Sequence, residues 1–184
     1  MEPSGLVTED MTFDELCEVA GTQFGTKTIT YVIDTNARYT ESKSIGSDAL
    51  TPATITPTKS GYNFVGWRED SVASDIVLTT KTVDNDLVLY DVFSKTITLS
   101  YNGNGASDTT SSQTGTQYYN NGNITNPSFT LKNNGFTVPT NKSFQKWALG
   151  STSGTQYTAG STVTLSNNTI FYAIWSIKIL SNYV

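Results

Sequence analysis

The chain has 184 residues, with 16 acidic against 11 basic side chains and no basic cluster, so it lacks the electrostatic footprint of a nucleic-acid binder. Ten Tyr, 8 Phe and 3 Trp set among Thr, Ser, Asn and Gly exclude a disordered chain and favour strands joined by tight turns. No apolar run approaches the roughly 20 residues of a spanning helix, so membrane insertion is not expected.

Residues 1–27 stand apart as an expected anchor or docking segment. They hold six of the acidic residues, Glu2, Glu9, Asp10, Asp14, Glu15 and Glu18. Thr12-Phe13-Asp14-Glu15 fits a capping box, with Thr12 capping a helix and Glu15 reaching back to its backbone N–H. Phe13, Leu16, Cys17 and Ala20 then form one apolar stripe over two turns before Gly21 ends it. So short a helix does not recover its nucleation cost alone and must dock, on its own chain or on a partner. The opening residues have neither a basic nor an apolar signal region, so no secretory signal is expected. Cys17, the single cysteine, excludes an internal disulfide framework.

From residue 28 the strand signal takes over, and the chain repeats itself. Thr28-Ile29-Thr30-Tyr31-Val32-Ile33 and Thr96-Ile97-Thr98-Leu99-Ser100-Tyr101 alternate small polar with large apolar residues. The turn after the second, Asn102-Gly103-Asn104-Gly105, contains two Asn-Gly pairs, whose residues tolerate positive φ. Gly61-Tyr62-Asn63-Phe64-Val65-Gly66-Trp67 recurs as Lys142-Ser143-Phe144-Gln145-Lys146-Trp147, with both aromatics 80 residues apart. Leu87-Val88-Leu89-Tyr90-Asp91-Val92-Phe93 recurs as Thr169-Ile170-Phe171-Tyr172-Ala173-Ile174-Trp175, 82 apart. Matching Ile29 to Ile97 gives an offset of 68, which places 12 extra residues in the second copy ahead of Phe-x-x-Trp. The pattern predicts closing hairpins, residues 77–80 with 87–93 and 161–165 with 169–175, turning at 84–86 and 166–168. Phe64, Trp67, Tyr90, Phe144, Trp147, Tyr172 and Trp175 are the expected core anchors, each tryptophan burying about 200 Å². The expected domains are 28–95 and 96–184, the latter with a C-terminal extension.

These motifs, with Gly154-Thr155-Gln156-Tyr157-Thr158-Ala159-Gly160-Ser161-Thr162-Val163-Thr164-Leu165, resemble the Listeria–Bacteroides repeat, or internalin-type B repeat. Tyr101-Asn102-Gly103-Asn104-Gly105-Ala106 resembles its opening turn. The first copy departs at Asp34-Thr35-Asn36-Ala37, which lacks the Gly-rich turn, and at Asp91-Val92-Phe93, where Ala and Trp belong. The second departs at Ser143 and Lys146, where glycines belong. The resemblance implies mainly β architecture: two tandem β-grasp-like domains, ubiquitin-like in strand layout. It implies spacer or binding roles on bacterial surfaces or in phage particles, and no catalytic residues.

The residues themselves argue against catalysis. With no histidine, Ser-His, Cys-His and imidazole-metal arrangements are impossible, and no cofactor or metal is expected. Cys17 on the apolar stripe reads as an inert packed thiol. Asp84 and Asp86 lack the further ligands of a calcium loop, and Glu69, Asp70 and Asp75 read as solvated loop charge rather than paired acids. Asn123-Ile124-Thr125, Asn141-Lys142-Ser143 and Asn167-Asn168-Thr169 are glycosylation acceptors in form only. The leading expectation is a virion component, a capsid decoration or head or tail fibre, docked to other virion proteins through residues 1–27. An unsignalled start with surface-type repeats suits a particle assembled in the cytoplasm. The alternatives are a fragment of a cell-surface adhesin and a carbohydrate-binding accessory module stacking sugars on Tyr118, Tyr119 or Tyr157. The repeats would then meet a host-surface protein or glycan.

Overall fold

The computed structural model describes residues 25–35, 37–69 and 77–178. The expected helix with Phe13, Leu16, Cys17 and Ala20 lies outside them, as do Asp70 and Asp75. Among the described residues the chain is mainly β, in strands β1 (Thr26–Ile33), β2 (Ala37–Ser44), β3 (Asn63–Arg68), β4 (Leu87–Asn102), β5 (Gln113–Asn120), β6 (Asn123–Thr125), β7 (Ser128–Thr130), β8 (Lys142–Leu149), β9 (Gln156–Tyr157), β10 (Thr162–Thr164) and β11 (Thr169–Ile177). Two compact units result. One ends at Phe93 and takes in Tyr119–Asn123; the other holds Ser94–Tyr118 and the chain from Ile124.

In the first unit β1 and β2 form an antiparallel hairpin from Thr26↔Ser44 to Ile33↔Ala37, turning through Asp34 at φ 53°. The first residues of β4 then run parallel to β1, pairing Ile29 with Leu87 and Val32 with Tyr90. β3 takes the other edge of β4, giving the order β2-β1-β4-β3. Parallel neighbours cannot be joined by a hairpin, so a long crossing is obligatory. Residues 45–62, which leave the sheet between β2 and β3, contain no helix. Inward-facing Ile29, Tyr31, Trp67 and Leu89 close a core with Ala49 and Val83.

The second unit repeats this plan. The last residues of β4 run parallel to β11, with Leu99 opposite Thr169, and β8 pairs antiparallel with β11 through a bulge at Ile174/Trp175. β5 flanks β4, and β9 lengthens the β8 edge. Asn104 and Gly105, at φ 47° and 89°, make the tight turn expected of Asn-Gly, closed by Ala106 N–H donating to Gly103 O. The core joins Ile97, Leu99, Phe129, Leu131, Phe136, Trp147 and Phe171.

Two expectations need correcting. Ile29 corresponds to Leu99, not Ile97, because the parallel registers pair them with Leu87 and Thr169, themselves 82 apart. The opening strands are therefore offset by 70, and the second copy carries 10 extra residues. Period-2 alternation hides such an error, since a slip of two residues leaves every side chain on its face. The closing hairpins are absent. β10 pairs with β7, and residues 81–83 bond to 47–49 in the same way, Ala49 N–H to Lys81 O at 2.8 Å and Val83 N–H to Ser47 O at 2.9 Å. The reason is geometric: β4 in the first copy and β11 in the second already have neighbours on both edges. The preceding segment has no edge to join.

Candidate functional site

Each unit contains the same four-ring cluster, assembled from its opening strand, its Phe-x-x-Trp strand and its closing strand. In the first, Trp67 packs against Tyr31 (4.9 Å between centroids) and Phe64 (5.3 Å), and Phe64 meets Phe93 edge-on at 5.7 Å. In the second, Trp147 packs against Tyr101 (4.6 Å) and Phe144 (4.8 Å), and Phe144 meets Trp175 edge-on at 5.8 Å. Tilted and edge-on contacts at these distances suit the ring quadrupole. The tyrosine hydroxyls are engaged. Tyr31 donates to Ala49 O at 2.7 Å and faces Glu41 at 2.9 Å, and burial pushes its ionisation upward. Tyr101 accepts from Lys132 N–H at 2.8 Å, and burial raises its ionisation too.

Of the residues expected as core anchors, Trp67 and Trp147 are buried, and Phe144 and Trp175 are partly buried against the second core. Phe64 is not a buried anchor: 37% of it is exposed, because it covers Trp67 from outside. Tyr90 and Tyr172 are also displaced from that role. Each follows a core residue, Leu89 or Phe171, so the pleat turns it to the opposite, half-buried face. Tyr31 and Tyr101 do the work instead. The 70-residue offset aligns them and would have identified them.

Asp86, Glu69, Tyr119 and Tyr157, all weighed above for chemistry or binding, are engaged structurally. Asp86 accepts from Thr28 N–H at 2.7 Å, and Asn168 from Thr98 N–H at 2.8 Å, so each binds its opening strand one residue ahead of the parallel pairing that starts at Ile29 or Leu99. Glu69 pairs with Lys81 at 2.8 Å. Tyr119 is buried, and Tyr157 lies edge-on to Phe171 at 5.9 Å, against the core. A cavity of about 470 Å³ runs along residues 46–51 and 79–82. Its Asp48 carboxylate already binds Thr51 Oγ1 (2.6 Å) and Leu50 N–H (2.9 Å), bonds that lower its ionisation.

One polar cluster in the first unit has no counterpart in the second. Asp91 occupies the inward position held by Ala173 in the other copy, and both are fully buried. Its Oδ2 accepts from Asp34 N–H at 2.9 Å, and its backbone oxygen accepts from Asn120 Nδ2 at 2.8 Å. Asp34 in turn binds Lys59 Nζ at 3.1 Å and the Tyr119 hydroxyl, while Lys59 lies 3.6 Å above the Tyr119 ring. Among the described residues, Asp91 Oδ1 and Asn120 Oδ1 are buried without any hydrogen-bond partner. Burial, with the Asp34 charge adding to it, pushes the Asp91 carboxyl up to about 6. The sequence held the signal in plain sight, a carboxylate where the repeat has alanine.

A family model described as the Listeria-Bacteroides repeat domain matches residues 28–91 and 98–174, and its two starting points share the 70-residue offset of the opening strands. No curated protein matches the chain.

Proposed function

Because the chain belongs to the Listeria-Bacteroides repeat domain family, we propose that it is a non-catalytic structural or binding protein displayed on a surface, specifically a phage virion component docked through residues 1–27. Repeats of this family are typical of surface and extracellular proteins. The observation that carries the non-catalytic reading is the duplicated ring cluster. Asp86, Glu69 and Tyr31 are spent on a backbone bond, an ion pair and a core bond. The strand order β2-β1-β4-β3, with its parallel central pair, supports reading each module as a β-grasp-like fold that dispenses with the crossing helix.

A single cysteine in 184 residues leaves the fold independent of disulfides, as suits a protein assembled in a reducing compartment and exposed later. That favours a capsid decoration or fibre over a secreted adhesin. The sugar-stacking reading loses ground at two of its three tyrosines, because Tyr119 and Tyr157 are committed to packing, while Tyr118 is half-buried.

The test is particle incorporation. Chain lacking residues 1–24, a deletion that leaves β1 whole, should remain folded but fail to co-purify with virions, while the full chain does. Co-fractionation of the full chain with a bacterial envelope, and never with particles, would replace the virion by the adhesin.

A further inference from the structure

We propose that Asp91 and Asn120 form a proton-operated latch holding the Tyr119–Asn123 turn on the first module, closed when Asp91 is neutral and open when it is ionised. The geometry supplies the case. Asp91 and Asn120 are both 0% exposed, they touch through Asn120 Nδ2 and Asp91 O, and each presents one oxygen to no donor among the described residues. Two buried acceptors on one pair of touching residues are a standing penalty, and neither can relieve the other. One proton changes that. A neutral Asp91 replaces an orphan acceptor with an O–H donor, and Asn120 Oδ1 is the unsatisfied acceptor on the adjoining residue.

Of the surrounding charges, Asp34 outweighs Lys59 and favours the proton. Asp34, on the β1–β2 turn, sets a carboxylate beside Asp91 and is itself bonded to the Tyr119 hydroxyl from β5 and to Lys59 from the crossing segment. Lys59 thus serves Asp34 directly, at 3.1 Å, and reaches Asp91 only at longer range. Tyr62 packs on Tyr119 at 6.1 Å between rings. Burial and the Asp34 charge both raise the Asp91 carboxyl, consistent with a group that is neutral in mild acid. The fold does not require this carboxyl, since Ala173 fills the equivalent place in the second unit. Asp91 is therefore an addition to the first copy rather than part of the repeat.

The latch is read by amide exchange in the full chain, corrected for intrinsic rates, together with a carbon-13 titration of the Asp91 carboxyl. Protection of residues 119–123 should be about tenfold or more greater at pH 5 than at pH 7.5, following the titration. Asp91→Asn, which carries an N–H in place of the acid O–H, should give the acid level of protection at both pH values. Asp91→Ala, which copies the second unit, should make protection independent of pH and serves if the first variant does not fold. A carboxyl that titrates near 4 with pH-independent protection overturns the proposal. So does restoration of protection at pH 7.5 by calcium or sodium chloride, which would make the missing partner a cation.

Discussion

The indole N–H of Trp147 donates to the carbonyl oxygen of Lys132 at 2.8 Å, so the largest fully buried ring of the second module also fixes the strand-free segment that covers it. Trp147→Ala should cost roughly 3–5 kcal/mol in unfolding free energy, as a large-to-small change at a fully buried site. Trp147→Phe keeps much of the volume but orphans the Lys132 carbonyl, and should cost about 1–3 kcal/mol. Urea denaturation of the two variants checks both; an alanine loss below about 1 kcal/mol would mean that the ring contributes little packing.

Gly103 and Gly105 lie two residues apart in one turn and are required for different reasons. A Cβ on Gly103 would stand 2.7 Å from Phe136 Cδ1, within the core, while Gly105 faces open space but has φ +89°. Gly103 also offers its carbonyl to Trp175 Nε1 at 2.8 Å. Gly103→Ala should therefore behave as overpacking, costing about 1–3 kcal/mol. Gly105→Asn should be nearly neutral, since asparagine tolerates positive φ, whereas Gly105→Val should cost more. Thermal melts of the three variants separate the two causes.

The mainly β class, the duplication and the buried Trp67 and Trp147 were legible because aromatic spacing and Asn-Gly turns are local signals. The strand partners were not. Pairing β10 with β7 rather than β11 depends on both edges of β11 being occupied, which only the assembled sheet reveals. The hairpin turn at Asn121-Gly122, with φ 43° and 85°, carried the same dipeptide signal as residues 104–105. Its part in the Asp91 cluster depends on a contact 29 residues away in sequence, from Asn120 to Asp91, with no periodicity to betray it.

Asp86 and Asn168 offer an internal control on strand capping. Both accept the N–H one residue ahead of the parallel pairing of an opening strand, one as a carboxylate and one as an amide. Asp86→Asn should therefore change stability by less than about 0.5 kcal/mol, because the other copy already uses asparagine. Asp86→Ala should cost about 1 kcal/mol, the worth of a typical hydrogen bond. Chemical denaturation monitored by Trp67 and Trp147 fluorescence reads both; equal losses for the two variants would assign the effect to charge rather than to the bond.

Global stability should carry the signature of Asp91 as well. A buried acid whose folded-state ionisation lies at about 6, against 3.8 when free, binds its proton more tightly in the folded chain. Its contribution is fully favourable below pH 3.8 and is lost as pH rises through 6. Wild type and Asp91→Asn should consequently converge in mild acid and separate between about pH 4 and 6. Above that the variant should be the more stable, by up to roughly 3 kcal/mol. Denaturation midpoints measured from pH 3.5 to 8 trace that difference directly. A variant less stable than wild type at pH 8 would mean that the ionised carboxylate is a net stabiliser, held by Asp34 N–H and Lys59 more firmly than its burial opposes.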